Sequence, residues 1–134
     1  MDVFNRLAPF IQDFIYQNKW EELRGNQVAA CHVIFDSDDN LLLSSGTASG
    51  KTEAAFLPVL TDLYNKPSRS VGVMYISPLK ALINDQFKRL EQMLVGAHIP
   101  VTKWHGDASQ HHKNRLIKDP QGLLQITPES LESL

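Results

Sequence analysis

The feature that most limits what this chain can fold into is Ser45-Gly46-Thr47-Ala48-Ser49-Gly50-Lys51-Thr52, a run of small and polar residues ending in Lys-Thr. The residues Leu41-Leu42-Leu43-Ser44 before it have the length and apolarity of a short buried strand. After it, Phe56, Leu57, Leu60, Leu63 and Tyr64 continue as a helix, with Pro58 inside that predicts a kink. A turn of this composition between strand and helix aims successive backbone N–H groups at phosphate oxygens. Gly50 lets the backbone approach a phosphate without a Cβ clash, Lys51 reaches the β- and γ-phosphates, and the Thr52 hydroxyl is a natural Mg²⁺ ligand. Ser45 stands where Gly or Ala is commonest and Ala48 where Gly is frequent, but both are small enough for the loop to close. The pattern therefore points to a nucleoside triphosphate, Mg²⁺-ATP, held by Thr47, Ala48, Ser49, Gly50, Lys51 and Thr52.

Elsewhere strand and helix patterns alternate. Phe4, Leu7, Ile11, Phe14 and Ile15 recur at helical spacing, so residues 1–19 read as an N-terminal amphipathic helix. A second helix is predicted from Trp20 to Ile34, ending in the polar turn Asp36-Ser37-Asp38-Asp39-Asn40. Val71–Ile76 is a strand candidate, and Ser77 and Pro78 suit the start of a helix that carries Ile83, Phe87, Leu90 and Leu94 on one face. Further strands are expected at Val101–Trp104 and Leu123–Thr127, with a polar helix at Gln110–Ile117 between them and another helix starting at Pro128. Such alternation implies βαβ units and a mainly parallel sheet with helices on both faces, with ligands at the carboxyl ends of the strands. The fold class is α/β.

Composition sets the outer bounds. With 134 residues, 43% of them hydrophobic, the chain suffices for one compact domain and not for two ordinary ones. The 13 Lys and Arg against 15 Asp and Glu give a net charge of -2, so the overall balance advertises no polyanionic partner. Cys31 is the single cysteine, which excludes an internal disulfide and a cysteine-based zinc site. No run approaches the roughly 18 apolar residues of a membrane span, and charges interrupt the N-terminus, so a soluble cytoplasmic protein is expected.

Phosphate loops serve many reactions, and the remaining motifs narrow the choice. Tyr75-Ile-Ser-Pro-Leu-Lys-Ala-Leu-Ile-Asn-Asp-Gln86 resembles motif Ia of superfamily 2 DEAD/DEAH-type helicases, and Thr127-Pro-Glu-Ser-Leu131 resembles their motif Ib. Leu23-Arg24-Gly-Asn-Gln27 is similar to their adenine-reading Q motif, and His105-Gly106-Asp107 to the Gly-Asp turn after the third strand. The wording is most similar to the Lhr-like (large helicase-related) DNA helicases, over residues 20–134.

The resemblance implies a P-loop NTPase (RecA-like) three-layer fold, truncated here, with residues 20–134 as a partial ATP-binding domain that ends before motif II. It implies that Gln27 reads the adenine edge, that Lys51 and Thr52 hold the phosphates and Mg²⁺, and that Lys51 is the one catalytic residue of the family present. It further implies that Pro78, Leu79, Lys80 and Ala81, then Gly106 and Asp107, then Thr127, Pro128 and Glu129 line the path of a nucleic-acid strand, DNA in preference to RNA. An acidic motif II and the arginine fingers of a second RecA-like domain are also required by such motors, and the sequence contains no Asp-Glu pair. The expectation is a piece of a helicase that binds ATP without unwinding, whose partner is the remainder of its chain and whose incomplete sheet invites self-association. A nucleotide-binding module with a sensing or scaffolding role and no motor activity is the alternative.

Several residues have plainer readings. The basic stretch Lys103, Lys113, Arg115 and Lys118 reads as a solvated helix face, with a phosphate-binding patch as the alternative, and His111-His112 as a surface pair without a third metal ligand. Phe10 is expected in the core, Trp20 either there or beside adenine, and Glu53 complements the helix dipole.

Overall fold

The computed structural model describes residues 3–19, 21–43 and 51–133, and of residues 51–54 and 95 the backbone alone. The chain forms two compact units, Met1–Lys66 and Pro67–Leu134.

Among the described residues the first unit is helical: α1 (Val3–Arg6), α2 (Pro9–Gln17), α3 (Gly25–Asp36) and α4 (Lys51–Asn65). The expected single N-terminal helix is two. Pro9 lacks an N–H and disfavours helical backbone in the residue before it, and Ala8 accordingly sits at φ -60, ψ 150. Leu7, Ile11 and Ile15 are buried as the spacing predicted. The orphaned Ala8 N–H is taken up by the Thr61 hydroxyl of α4 at 3.1 Å, which in turn donates to Leu57 O at 2.8 Å. Arg6 joins α1 to the end of α3 through a two-pronged pair with Asp36, at 2.7 and 3.1 Å.

The second helix starts at Gly25 rather than at Trp20, which lies outside the described residues, and it ends at Asp36, where the polar turn begins. α4 continues through Pro58. Leu41–Leu43 form no strand, and Leu42 is 89% exposed; Ser44 lies outside the described residues. An apolar run becomes a strand only beside another strand, and the described residues of this unit offer none.

The second unit runs β1 (Val71–Ile76), α5 (Lys80–Leu94), a 3₁₀ turn at Val95–Ala97, β2 (Val101–Trp104), α6 (Gln110–Lys118), β3 (Gly122–Ile126) and α7 (Pro128–Glu132). α5 starts two residues later than Pro78, because Ser77 Oγ accepts from Leu79 N–H and holds Ser77–Leu79 as a turn. The sheet is parallel, in the order β1-β3-β2. That order fixes where the helices go. The crossover through α5 moves outward past one strand and the crossover through α6 returns, so two crossovers of the same hand place their helices on opposite faces. Side chains alternate accordingly. Leu124 and Ile126 pack with Trp104, Leu116 of α6 and Leu131 of α7. On the other face Lys103, in register with Gln125, reaches Asn84 and the Phe87 ring of α5.

Candidate functional site

Parallel strands deliver all their carboxyl ends to one edge of the sheet, and three strand-to-helix connections meet there. After β1 come Ser77, Pro78, Leu79 and the first residues of α5, Lys80 and Ala81; after β2 comes His105-Gly106-Asp107; after β3 come Thr127, Pro128 and Glu129. The connections are tied to one another as well as to the sheet. Ser77 N–H donates to Ile126 O at 3.1 Å, and Thr127 N–H to Trp104 O at 3.3 Å. Lys80 Nζ lies 3.2 Å from Asp107 Oδ2. A Cβ built on Gly106 would stand 3.5 Å from Lys80 Nζ, so the ammonium rests over a glycine. Pro78, Leu79, Lys80, Ala81, Gly106, Asp107 and Glu129 are exposed, and Pro128 is half-buried. Thr127 is different: it is buried, and its hydroxyl caps α7 by accepting from Ser130 N–H while bonding Ser130 Oγ at 3.0 Å.

Beneath this edge is a residue to which the sequence assigned no role of its own. His105 is 2% exposed; its Nδ1 accepts from Asp107 N–H at 3.2 Å and its Nε2 lies 3.1 Å from Asn84 Oδ1. Burial first, then the positive charge of Lys103, push its pKa below the ordinary histidine value. Position next to the Gly-Asp turn was the available signal; its link to Asn84 is a tertiary contact that spacing does not reveal.

The nucleotide candidates lie in the first unit. Thr47, Ala48, Ser49 and Gly50 fall outside the described residues, and Lys51 and Thr52 are in the first turn of the 15-residue α4. Gln27 is buried, and its Oε1 accepts from Arg24 N–H at 2.9 Å, capping α3 from its third residue. Phe10 packs against Tyr64 with the two rings tilted and their centroids 5.5 Å apart.

Other chemistry is sparse. The Cys31 thiol is buried and pushed up to about 11, which leaves it protonated and unreactive. Among the described residues no group of three or more His, Cys, Asp or Glu could hold a metal, and the exposed His111 and His112 rings stand 5.8 Å apart without a third ligand. Of the basic stretch, Lys103 lies over Phe87 and Lys113 over Trp104. A cavity of about 510 Å³ opens beside β2, between α5 and α6, and shares no residue with the strand-end cluster. Among the described residues no helix is long and apolar enough to cross a membrane.

Comparison with known proteins decides the family. The model of the DEAD/DEAH box helicase family matches residues 24–134. The chain belongs to the DEAD/DEAH box helicases. Within that family it is 33% identical over 142 aligned positions to the ATP-dependent helicase Lhr-Core of Saccharolobus solfataricus, across 96% of this chain and 16% of the relative. It is 37% identical over 111 positions to the Lhr-Core helicase of Methanothermobacter thermautotrophicus, across 71% of this chain and 13% of that one. Among solved structures, the Mycobacterium smegmatis helicase Lhr bound to ssDNA and AMP-PNP superposes with a TM-score of 0.80 at 29% identity, over 98% of this chain and 18% of that chain. The RecA-like α/β fold and the likeness to Lhr helicases are thereby established. This helicase-family chain spans about a sixth or less of the length of these relatives.

Proposed function

We propose that this chain is the ATP-binding and strand-gripping part of a nucleic-acid-dependent helicase that acts on DNA in preference to RNA. The observation that carries the reading is the convergence of the three strand-end connections, two of them joined by the pair of Lys80 with Asp107 over Gly106. A helicase needs a surface that holds a backbone without reading its bases, and a positioned ammonium beside an exposed Gly-Asp turn suits phosphate oxygens. The Lhr neighbour bound to ssDNA supports DNA as the strand, and its AMP-PNP supports ATP as the nucleotide.

In this reading the residues from Ser45 to Gly50 would cradle the phosphates, Lys51 would neutralise the β- and γ-phosphates, and Thr52 would hold Mg²⁺. Gln27 is assigned to the adenine edge at the start of α3, where its side chain is buried and its Oε1 already caps the helix. ATP supplies the free energy for strand movement in the full-length helicase. The acidic motif II and arginine fingers that hydrolysis requires have no counterpart in this sequence, so the chain alone binds ATP without turning it over. Its natural partner is the remainder of the helicase, including a second RecA-like domain.

Isothermal calorimetry with Mg²⁺-ATP tests the nucleotide half. Wild type is expected to bind ATP in preference to GTP, and Lys51→Ala to lose that binding while remaining folded. A folded wild type without ATP affinity would overturn the assignment.

A further inference from the structure

Beneath the strand-end cluster lies a buried imidazole, His105, whose contacts define one tautomer. Lys103 Nζ donates to Asn84 Oδ1 at 3.3 Å. A lysine ammonium has no acceptor, so this contact fixes the Asn84 amide with its oxygen toward Lys103 and His105. His105 Nε2, 3.1 Å from the same oxygen, must then be the protonated nitrogen. Nδ1 is left as an acceptor, which is what the Asp107 N–H pointing at it from 3.2 Å requires. The chain of contacts runs from Lys103 through Asn84 and His105 to the Asp107 backbone, and from the Asp107 carboxylate to Lys80 Nζ above Gly106.

We propose that His105, as the neutral Nε2–H tautomer, is the positioning residue that holds the Gly106–Asp107 turn, and through Asp107 the Lys80 ammonium, in place to grip a phosphodiester of the bound strand. The proposal rests on the strand-binding reading above and adds to it the device that shapes the grip. Protonation of Nδ1 sets two donors face to face, the imidazolium and the Asp107 N–H, and releases the turn. The charges around His105 come from every side: Lys103 on β2, Lys80 on α5, Lys113 on α6, and Asp107 in its own turn. The three ammonium groups oppose protonation and one carboxylate favours it, so the neutral form dominates at neutral pH. As pH falls below the ordinary histidine value the neutral form is lost and the grip weakens.

Fluorescence anisotropy with a labelled DNA single strand, from about pH 8 to about pH 5, tests this on wild type, His105→Asn, His105→Leu and Lys80→Ala. Asn retains a side-chain acceptor for the Asp107 N–H but does not titrate; Leu retains bulk and loses the acceptor. Wild-type affinity is expected to fall with pH, and His105→Asn to bind well without that fall. His105→Leu is expected to bind roughly tenfold more weakly at every pH, as Lys80→Ala does. Long-range ¹⁵N NMR of the imidazole reads the tautomer directly, whether or not the variants fold, and protonated Nε2 is expected. Protonated Nδ1, a folded His105→Leu that binds like wild type, or His105→Asn with the wild-type pH profile would each overturn the proposal. If Lys80→Ala weakens binding and His105→Leu does not, His105 fails alone. A wild type that binds no strand removes both the reading and the proposal built on it.

Discussion

Gly122 shows how one residue can fix a sheet. Its φ is +76, a region that L side chains rarely adopt, and a Cβ placed there would stand 2.1 Å from Pro100 O. The close approach serves the hydrogen bond from Leu123 N–H to Pro100 O at 2.9 Å, which starts the pairing of β3 with β2. Gly122→Ala is therefore expected to destabilise the fold by about 2 kcal/mol or more, read as a lower urea midpoint with an unchanged slope. A midpoint within error of wild type would show that the turn relaxes easily. Thr127 carries a related lesson. Its match to motif Ib suggested a strand contact, and its buried hydroxyl caps α7, so its part in any grip is to shape the connection after β3.

Among elements, the two short N-terminal helices are held by specific polar contacts as well as by their buried faces. Thr61 is fully buried and is the acceptor for Ala8 N–H at the start of α2. Thr61→Val keeps the shape and strands that donor, so a loss of about 1–3 kcal/mol in thermal or denaturant unfolding is expected; a neutral effect would mean that α2 finds another acceptor. The Arg6 pair acts at the other end. Hydrogen bonds from Arg6 first, and from His32 next, hold Asp36 down at about 2. Because the folded pKa lies below the ordinary carboxylate value, the stabilisation is complete above that value and is lost as pH falls toward about 2. NMR titration of the Asp36 carboxyl is expected to show this low midpoint, and Arg6→Ala to raise it toward the ordinary range. A midpoint unmoved by the substitution would assign the shift to His32.

The whole molecule presents β1 as the end strand of its described sheet, with Met74 and Ile76 46% and 48% exposed on one face. An open strand edge flanked by apolar side chains is a template for further pairing. Concentration-dependent association is expected in light scattering and should diminish in Met74→Lys, whereas a monodisperse monomer at high concentration would count against it. The resemblance of its motifs pointed to the family, and the sequence by itself determined the helix-strand alternation of the second unit and the bounds of β2 and α6 to within a residue, because apolar periodicity and turn residues act over neighbouring positions. It also marked Lys80, Gly106, Asp107 and Thr127 as candidates through their motifs. It misread Leu41–Leu43 as a strand and the N-terminus as one helix, since pairing partners and the break at Pro9 outweighed local apolarity. Only the tertiary structure decided the order β1-β3-β2, the pair of Lys80 with Asp107 across 27 positions, and the tautomer of His105, set by Asn84 across 21. Local periodicity has no term for contacts between residues so far apart, and the shape of the proposed grip depends on those contacts.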